Sequence, residues 1–295
     1  MRGMTTRREF MSLVSTGLLA SATGAWAQPA EGLRRPFSAG LALQLYSLRH
    51  RFKAGDVDGA LALTRDWGLR HIEGNAPDGM TSQAFAAKLA AHGLSAMGTG
   101  VDFGALAGDL GPAIADAKAL GATYVMCAWI PHGDAFTLAD VDKAAAAFNT
   151  AGKAFTAAGL TFMYHCHGYE FVPGPGGTLF DTLAAKTDPG HVAFEMDVFW
   201  AVRGGADPVA LLQKYPGRFK ATHIKDIAKG TPLGDRTGHA PDETNVPLGQ
   251  GQIDWPAVFR ASAKAGVEWH IIEDESPTVE RQVPLTLKYL AGLTL

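Results

Sequence analysis

The sequence predicts an α/β chain folded as one (β/α)8 TIM barrel, on three observations. Short apolar, β-rich runs alternate with longer alanine-rich amphipathic runs; eight runs of the strand type recur; and glycines mark the passage from helix back to strand. Residues 28–295 suit the length of one barrel and leave little room for a second domain. A doubly wound open sheet is the competing architecture, but no Gly-x-Gly-x-x-Gly opens its first strand-to-helix turn.

The first element is a leader. Thr6-Arg7-Arg8-Glu9-Phe10-Met11 has the twin-arginine pattern, and a weakly apolar run from Leu13 to Ala25 leads to the small-x-small site Ala25-Trp26-Ala27. Residues 1–27 are therefore read as a signal peptide with a periplasmic destination. The apolar run is too short to span about 30 Å of hydrocarbon, which needs roughly 20 apolar residues, so no membrane span is expected.

The strands follow in order: Leu41–Leu48, Leu69–Asn75, Leu94–Asp102, Tyr124–Ile130, Thr161–His167, Val192–Trp200, Phe219–Ile227 and Glu268–Glu273. Between them the 3.6-residue period places helices at Asp56–Trp67, Ser82–His92, Leu110–Leu120, Leu138–Ala158, Leu179–Lys186, Pro208–Lys214 and Trp255–Ala265. Gly68, Gly93, Gly121, Gly159 and Gly266 each stand just before a strand, where a helix C-cap needs a left-handed residue. The segment from Ala228 to Gln252 is a long Gly/Pro-rich loop, read as a cover over substrate.

Charge excludes one class of partner. The chain carries 26 Lys+Arg against 29 Asp+Glu, a net of -3, and reaches -5 once Arg2, Arg7, Arg8 and Glu9 leave with the leader, so nothing attracts nucleic acid. Cys127 and Cys166 fall near the ends of neighbouring strands; a periplasmic disulfide is geometrically conceivable, and buried free thiols are the favoured reading. Oligomeric state is left open, a homo-oligomer included.

Alternation along each strand sorts the polar residues by face. Met163, His165 and His167 share one; so do Glu195 and Asp197, His223 and Lys225, and Ile271 and Glu273. All of these sets lie toward C-terminal strand ends, the active mouth of a parallel barrel, where buried charge needs a partner or a cation. Glu170, Asp197, His223 and Glu273 are one hard or borderline ligand per successive strand, a donor set suited to a divalent ion.

The motifs Gln44-Leu45-Tyr46-Ser47-Leu48-Arg49, His165-Cys166-His167-Gly168-Tyr169-Glu170-Phe171, Glu195-Met196-Asp197-Val198-Phe199-Trp200, His223-Ile224-Lys225-Asp226, Pro247-Leu248-Gly249-Gln250-Gly251 and Ile272-Glu273-Asp274 occur in order across the chain. Together they resemble the sugar phosphate isomerase/epimerase group of the xylose isomerase-like barrels. The resemblance implies one divalent ion, Mn²⁺ foremost with Mg²⁺, Co²⁺ or Zn²⁺ as alternatives, held by Glu170, Asp197, His223 and Glu273, with His165 as the alternative to Glu170. His167 is placed nearer the substrate.

A cation chelated by a sugar carbonyl and its neighbouring hydroxyl acidifies the α C–H and stabilises an enediolate. Glu170 and Glu273 are the candidate pair of proton-transfer groups, Lys225 a stabiliser of oxyanion charge, and His167 a further catalytic candidate. Tyr46, Glu73, Trp129, His165, Phe199 and Trp200 are the expected substrate contacts. The expected activity is isomerisation or epimerisation of a carbohydrate that, in an exported protein, carries no phosphate. The alternatives are elimination from a 3-keto-glycoside and capture of sugar without turnover. A His-x-His hydrolase is disfavoured, since that pair belongs on a first strand and here lies on the fifth.

Overall fold

The computed structural model describes residues 37–295, so the segment read as a leader, residues 1–27, lies outside the described residues. Eight parallel strands close into a barrel: β1 Gly40–Gln44, β2 His71–Glu73, β3 Ser95–Gly100, β4 Tyr124–Cys127, β5 Thr161–His165, β6 Val192–Asp197, β7 Phe219–Ile224 and β8 Trp269–Ile272. Each pairs with its neighbours in sequence, and β8 closes the ring on β1 through the Gly40↔Trp269 to Leu43↔Ile272 register.

The helices are α1 Arg49–Lys53, α2 Val57–Asp66, α3 Ser82–Ala91, α4 Gly111–Leu120, α5 Leu138–Ala157, α6 Leu179–Lys186, α7 Val198–Arg203, α8 Pro208–Lys214, α9 Trp255–Ala265 and α10 Val279–Gly292. Their ends follow from side-chain chemistry. Thr137 with Asp140 and Thr178 with Asp181 form reciprocal capping boxes that start α5 and α6. The glycines expected before strands do take left-handed φ, from 67° at Gly93 to 83° at Gly68. No helix among the described residues is long and apolar enough to cross a membrane.

The sixth predicted strand runs too far. It ends at Asp197, and Val198 to Arg203 turn into α7, because the Asp197 side chain accepts the Trp200 backbone N–H at 3.0 Å and caps a helix there. Phe199 and Trp200 are therefore helical, so strand alternation does not apply to them. The other predicted strands also overrun, by up to four residues at their C-terminal ends, where the chain leaves the barrel for site loops. The C-terminal helix α10 was not among the helices read from periodicity.

Two apolar shells hold the barrel. One lies between strands and helices and is built from residues such as Leu43, Val125, Phe162, Phe194, Ile224 and Phe259. The other fills the lumen, where Ala42, Met97, Met126, Met163, Ala193, Ala221, Trp269 and Ile271 make a compact plug. Above that plug, toward the C-terminal strand ends, the inward positions turn polar.

Candidate metal centre

His165 at the end of β5, Asp197 at the end of β6 and His223 on β7 converge, with one ligand-type atom from each all within 4.8 Å of one another. His165 Nε2 stands 3.6 Å and His223 Nδ1 3.9 Å from Asp197 Oδ2. Register explains the meeting: Asp197 lies directly across from His223 in the β6–β7 pair, and His165 across from Glu195 in the β5–β6 pair. Asp197 serves both as cap and as site residue. Its Oδ1 accepts from Trp200, while its buried Oδ2 makes no well-aligned hydrogen bond and has the Lys225 ammonium 3.1 Å away.

Glu273, just past β8, completes the cluster. Its Oε2 lies 3.1 Å from His223 Nδ1 and 2.7 Å from Lys225 Nζ. Lys225 also meets Glu275, so a fully buried ammonium is shared among three carboxylates. Burial alone would pull the Lys225 ammonium down; Asp197, Glu273 and Glu275 outweigh it and keep the charge. Burial likewise penalises the Glu273 carboxylate, yet Lys225 and His223 hold it well below the ordinary range. Asp197 is pushed up to about 6, chiefly by burial.

Beneath this cluster lie two further buried carboxylates. Glu195 Oε2 is 2.9 Å from His165 Nδ1, and Glu73 Oε2 is 2.8 Å from His223 Nε2. Glu195 was placed on the Asp197 face by strand alternation yet not counted as a site residue; that same alternation was the signal that could have found it. Glu73 is neither a helix cap nor part of the open cavity wall, but sits on the floor and accepts from Gln44 Nε2 at 2.8 Å.

The cluster opens into a cavity of about 540 Å³ lined by Tyr46, Trp129, His165, His167, Trp200, His223, Lys225 and Glu273. Gly238, His239, Ala240 and Asp242 from the long loop after β7 line its rim, so that loop does border the cavity. The loop is tied down by Arg49–Asp242 at 2.9 Å and Arg203–Asp235 at 2.7 Å. His239 and Asp242 were not foreseen, since a loop carries no periodic signal. Phe199 is fully buried and does not line the cavity; it packs against Trp200 and lies 5.4 Å below the Lys225 ammonium. His167 faces the cavity with Nδ1 unpaired, and burial holds its imidazole down to about 3.

Glu170 does not join the other predicted ligands. Gly168 turns left-handed at φ 91°, the chain enters a short 3-10 turn, and the Glu170 carboxylate accepts from the Tyr164 hydroxyl and the His167 backbone N–H. It therefore braces the loop from behind, and burial pushes its carboxyl up to about 7. His165 takes the fifth-strand place at the cluster instead. Gly168 also packs against α7: a Cβ on it would lie 2.7 Å from Trp200 O, and one on Gly204 2.6 Å from Gly168 O. Cys127 and Cys166 are buried free thiols.

The family described as xylose isomerase-like TIM barrel matches over residues 61–292. An inosose dehydratase of Lacticaseibacillus casei is 26% identical over 152 residues, covering 49% of this chain and 49% of that protein. The chain thus spans about half the length of the curated relatives it matches. A sugar phosphate isomerase/epimerase structure from Parabacteroides distasonis superposes with a TM-score of 0.70 at 25% identity, over 86% of this chain and 98% of that one. The IOLI protein, solved with a zinc atom, shares the fold with a TM-score of 0.64 at 16% identity, over 85% of this chain and 97% of that one.

Proposed function

The chain belongs to the xylose isomerase-like TIM barrel family, and from that premise we propose that it is a divalent-metal-dependent enzyme that removes a proton α to the carbonyl of an uncharged polyhydroxy compound. The observation that carries this reading is the convergence of His165, Asp197 and His223, beside Glu273, at the base of an open cavity. The residues fit a cation. Two imidazoles and two carboxylates form a borderline donor set, and the buried, poorly satisfied Asp197 Oδ2 points into it.

In this reading His165, Asp197, His223 and Glu273 hold the ion; Mn²⁺ leads the candidates, ahead of Mg²⁺, Co²⁺ and Zn²⁺. When bound, such an ion supplies Lewis acidity to a carbonyl and its neighbouring hydroxyl. The chain's own groups do the rest. Glu273, kept ionised by Lys225 and His223, takes the proton from carbon. Lys225 donates to oxygen as charge develops there, and the His167 ring forms part of the wall beside it.

Two features support an unphosphorylated substrate. The one lysine among the cavity-lining residues is outnumbered by Asp242, Glu273 and Glu275, which make the mouth acidic and unfavourable to a phosphate. Trp129, Trp200 and Tyr46 offer ring faces suited to sugar C–H surfaces. The twin-arginine leader agrees, since it would deliver the protein to the periplasm.

Isomerisation or epimerisation follows if the proton returns to carbon. Elimination is the second reading, favoured by a curated relative that is a dehydratase, and a 3-keto-glycoside fits it as substrate. Both begin with the same proton loss. The test is deuterium incorporation from D₂O at the carbon beside the carbonyl of free ketoses, inososes and 3-keto-glycosides. Exchange that stops on chelation and returns with Mn²⁺ is expected; the products then separate an isomer from an unsaturated or cleaved sugar. Absence of exchange across all three substrate classes would overturn the proposal.

A further inference from the structure

Each imidazole of the cluster has one nitrogen against a carboxylate on the floor of the site, on the side away from Asp197. Glu195 Oε2 receives His165 Nδ1 at 2.9 Å, and Glu73 Oε2 receives His223 Nε2 at 2.8 Å. An ionised carboxylate only accepts, so with both acids ionised these two nitrogens carry the protons. The opposite nitrogens, His165 Nε2 and His223 Nδ1, are turned toward Asp197 Oδ2, and His223 Nδ1 also stands 3.1 Å from Glu273 Oε2, so both face the carboxylates proposed to share the ion.

Glu73 is itself fixed. The Tyr46 backbone N–H donates to Gln44 Oε1 at 3.2 Å, which settles the amide orientation and leaves Gln44 Nε2 to donate to Glu73 Oε2. Gly98 leaves space beside it, because a Cβ there would stand 2.9 Å from Glu73 Oε1. Glu195 is held by its strand register directly across from His165. Neither carboxylate lines the cavity, and both are fully buried.

We infer that Glu73 and Glu195 are positioning residues that select the metal-binding nitrogen of each histidine: Nδ1 for His223 and Nε2 for His165. This rests on the metal reading above. The pair acts on substrate only through the rings. A carboxylate behind a histidine ligand fixes its tautomer and raises its basicity, and loss of such a partner typically lowers metal affinity about 10–100-fold.

Zn²⁺ is the probe, measured by competition against a chromophoric chelator for the wild type, Glu73→Gln and Glu195→Gln, with thermal melting as the check on folding. One Zn²⁺ per chain is expected in the wild type, with affinity about 10–100-fold weaker in each folded variant. Long-range ¹H–¹⁵N spectra of histidine-labelled, zinc-loaded wild type should show His223 bound through Nδ1 and His165 through Nε2, a readout that needs no variant to fold. Ligation of His223 through Nε2 overturns the inference, as does unchanged affinity in both folded variants. So does a wild type holding two Zn²⁺ that loses one on Glu73→Gln, for then Glu73 is a ligand. A wild type that binds no Zn²⁺, Mn²⁺ or Co²⁺ brings down the metal reading itself.

Discussion

The lower and upper halves of the barrel lumen are lined by the same strands facing the same way, yet they are chemically opposite. Met163 is followed two residues on by His165, Ala193 by Glu195 and Asp197, Ala221 by His223 and Lys225, and Ile271 by Glu273. Below the change the lumen is an apolar plug; above it, on β5 to β8, the inward groups are titratable. The plug excludes water and gives the charged layer a rigid floor, and the charged layer tolerates burial only because each group has a partner. Stability and chemistry are thus separated by one step of the strand repeat.

That separation can be broken from above. Asp197→Asn keeps the α7 cap acceptor but removes the charge facing both imidazoles, and should weaken metal binding by more than the ~100-fold that outer partners carry. Metal content after dialysis measures it, and retention of one tightly held ion would contradict the arrangement. Breaking it from below should cost the fold. Met163→Glu puts a carboxylate into the plug without a partner, and a lowered urea midpoint equivalent to about 3–5 kcal/mol is expected.

A third experiment moves to the outward face of the same strands. His270 is buried on β8 against Phe37 and Phe259, with Nδ1 2.7 Å from Thr222 Oγ1. Burial holds its imidazole down to about 3, against an ordinary value of 6.5. The folded state therefore refuses a proton that the unfolded chain accepts. Its contribution to stability is intact above pH 6.5 and falls by up to about 1.4 kcal/mol per pH unit as the pH drops toward 3. His270→Gln should flatten that part of the acid dependence in thermal melts; an unaltered slope would refute the assignment. The smallest effect belongs to Glu170→Gln. If its carboxylate only braces the loop behind the site, metal content stays at wild-type level and stability shifts by about 1 kcal/mol. Loss of the ion would return Glu170 to the ligand set.

Much of this was legible in the sequence. Alternation placed Asp197, His223 and Glu273 on inward faces, and the left-handed glycines located helix ends, because both signals are local and repeat with the backbone. Glu170 was misplaced for a reason alternation cannot carry. Once Gly168 turns left-handed the strand has ended, and facing is then set by the turn and by Tyr164. Phe199 went astray likewise, since a capping aspartate and a strand-end aspartate look identical until the next four residues choose a conformation. Glu275, at the end of an acidic run that resembles solvated surface, is drawn inward by Lys225, a partner fifty positions away.

The back-to-back approach of Gly168 and Gly204 has a dynamic consequence. With no side chain between them, the loop that follows His165 and the helix that begins at Asp197 share one backbone seam. Two donors that belong to separate strands are thereby tied into one rigid body, and thermal motion that would spread them must move both segments together. The distance between them is stiffened by the lack of two β-carbons, a form of preorganisation written in residues that never touch the site.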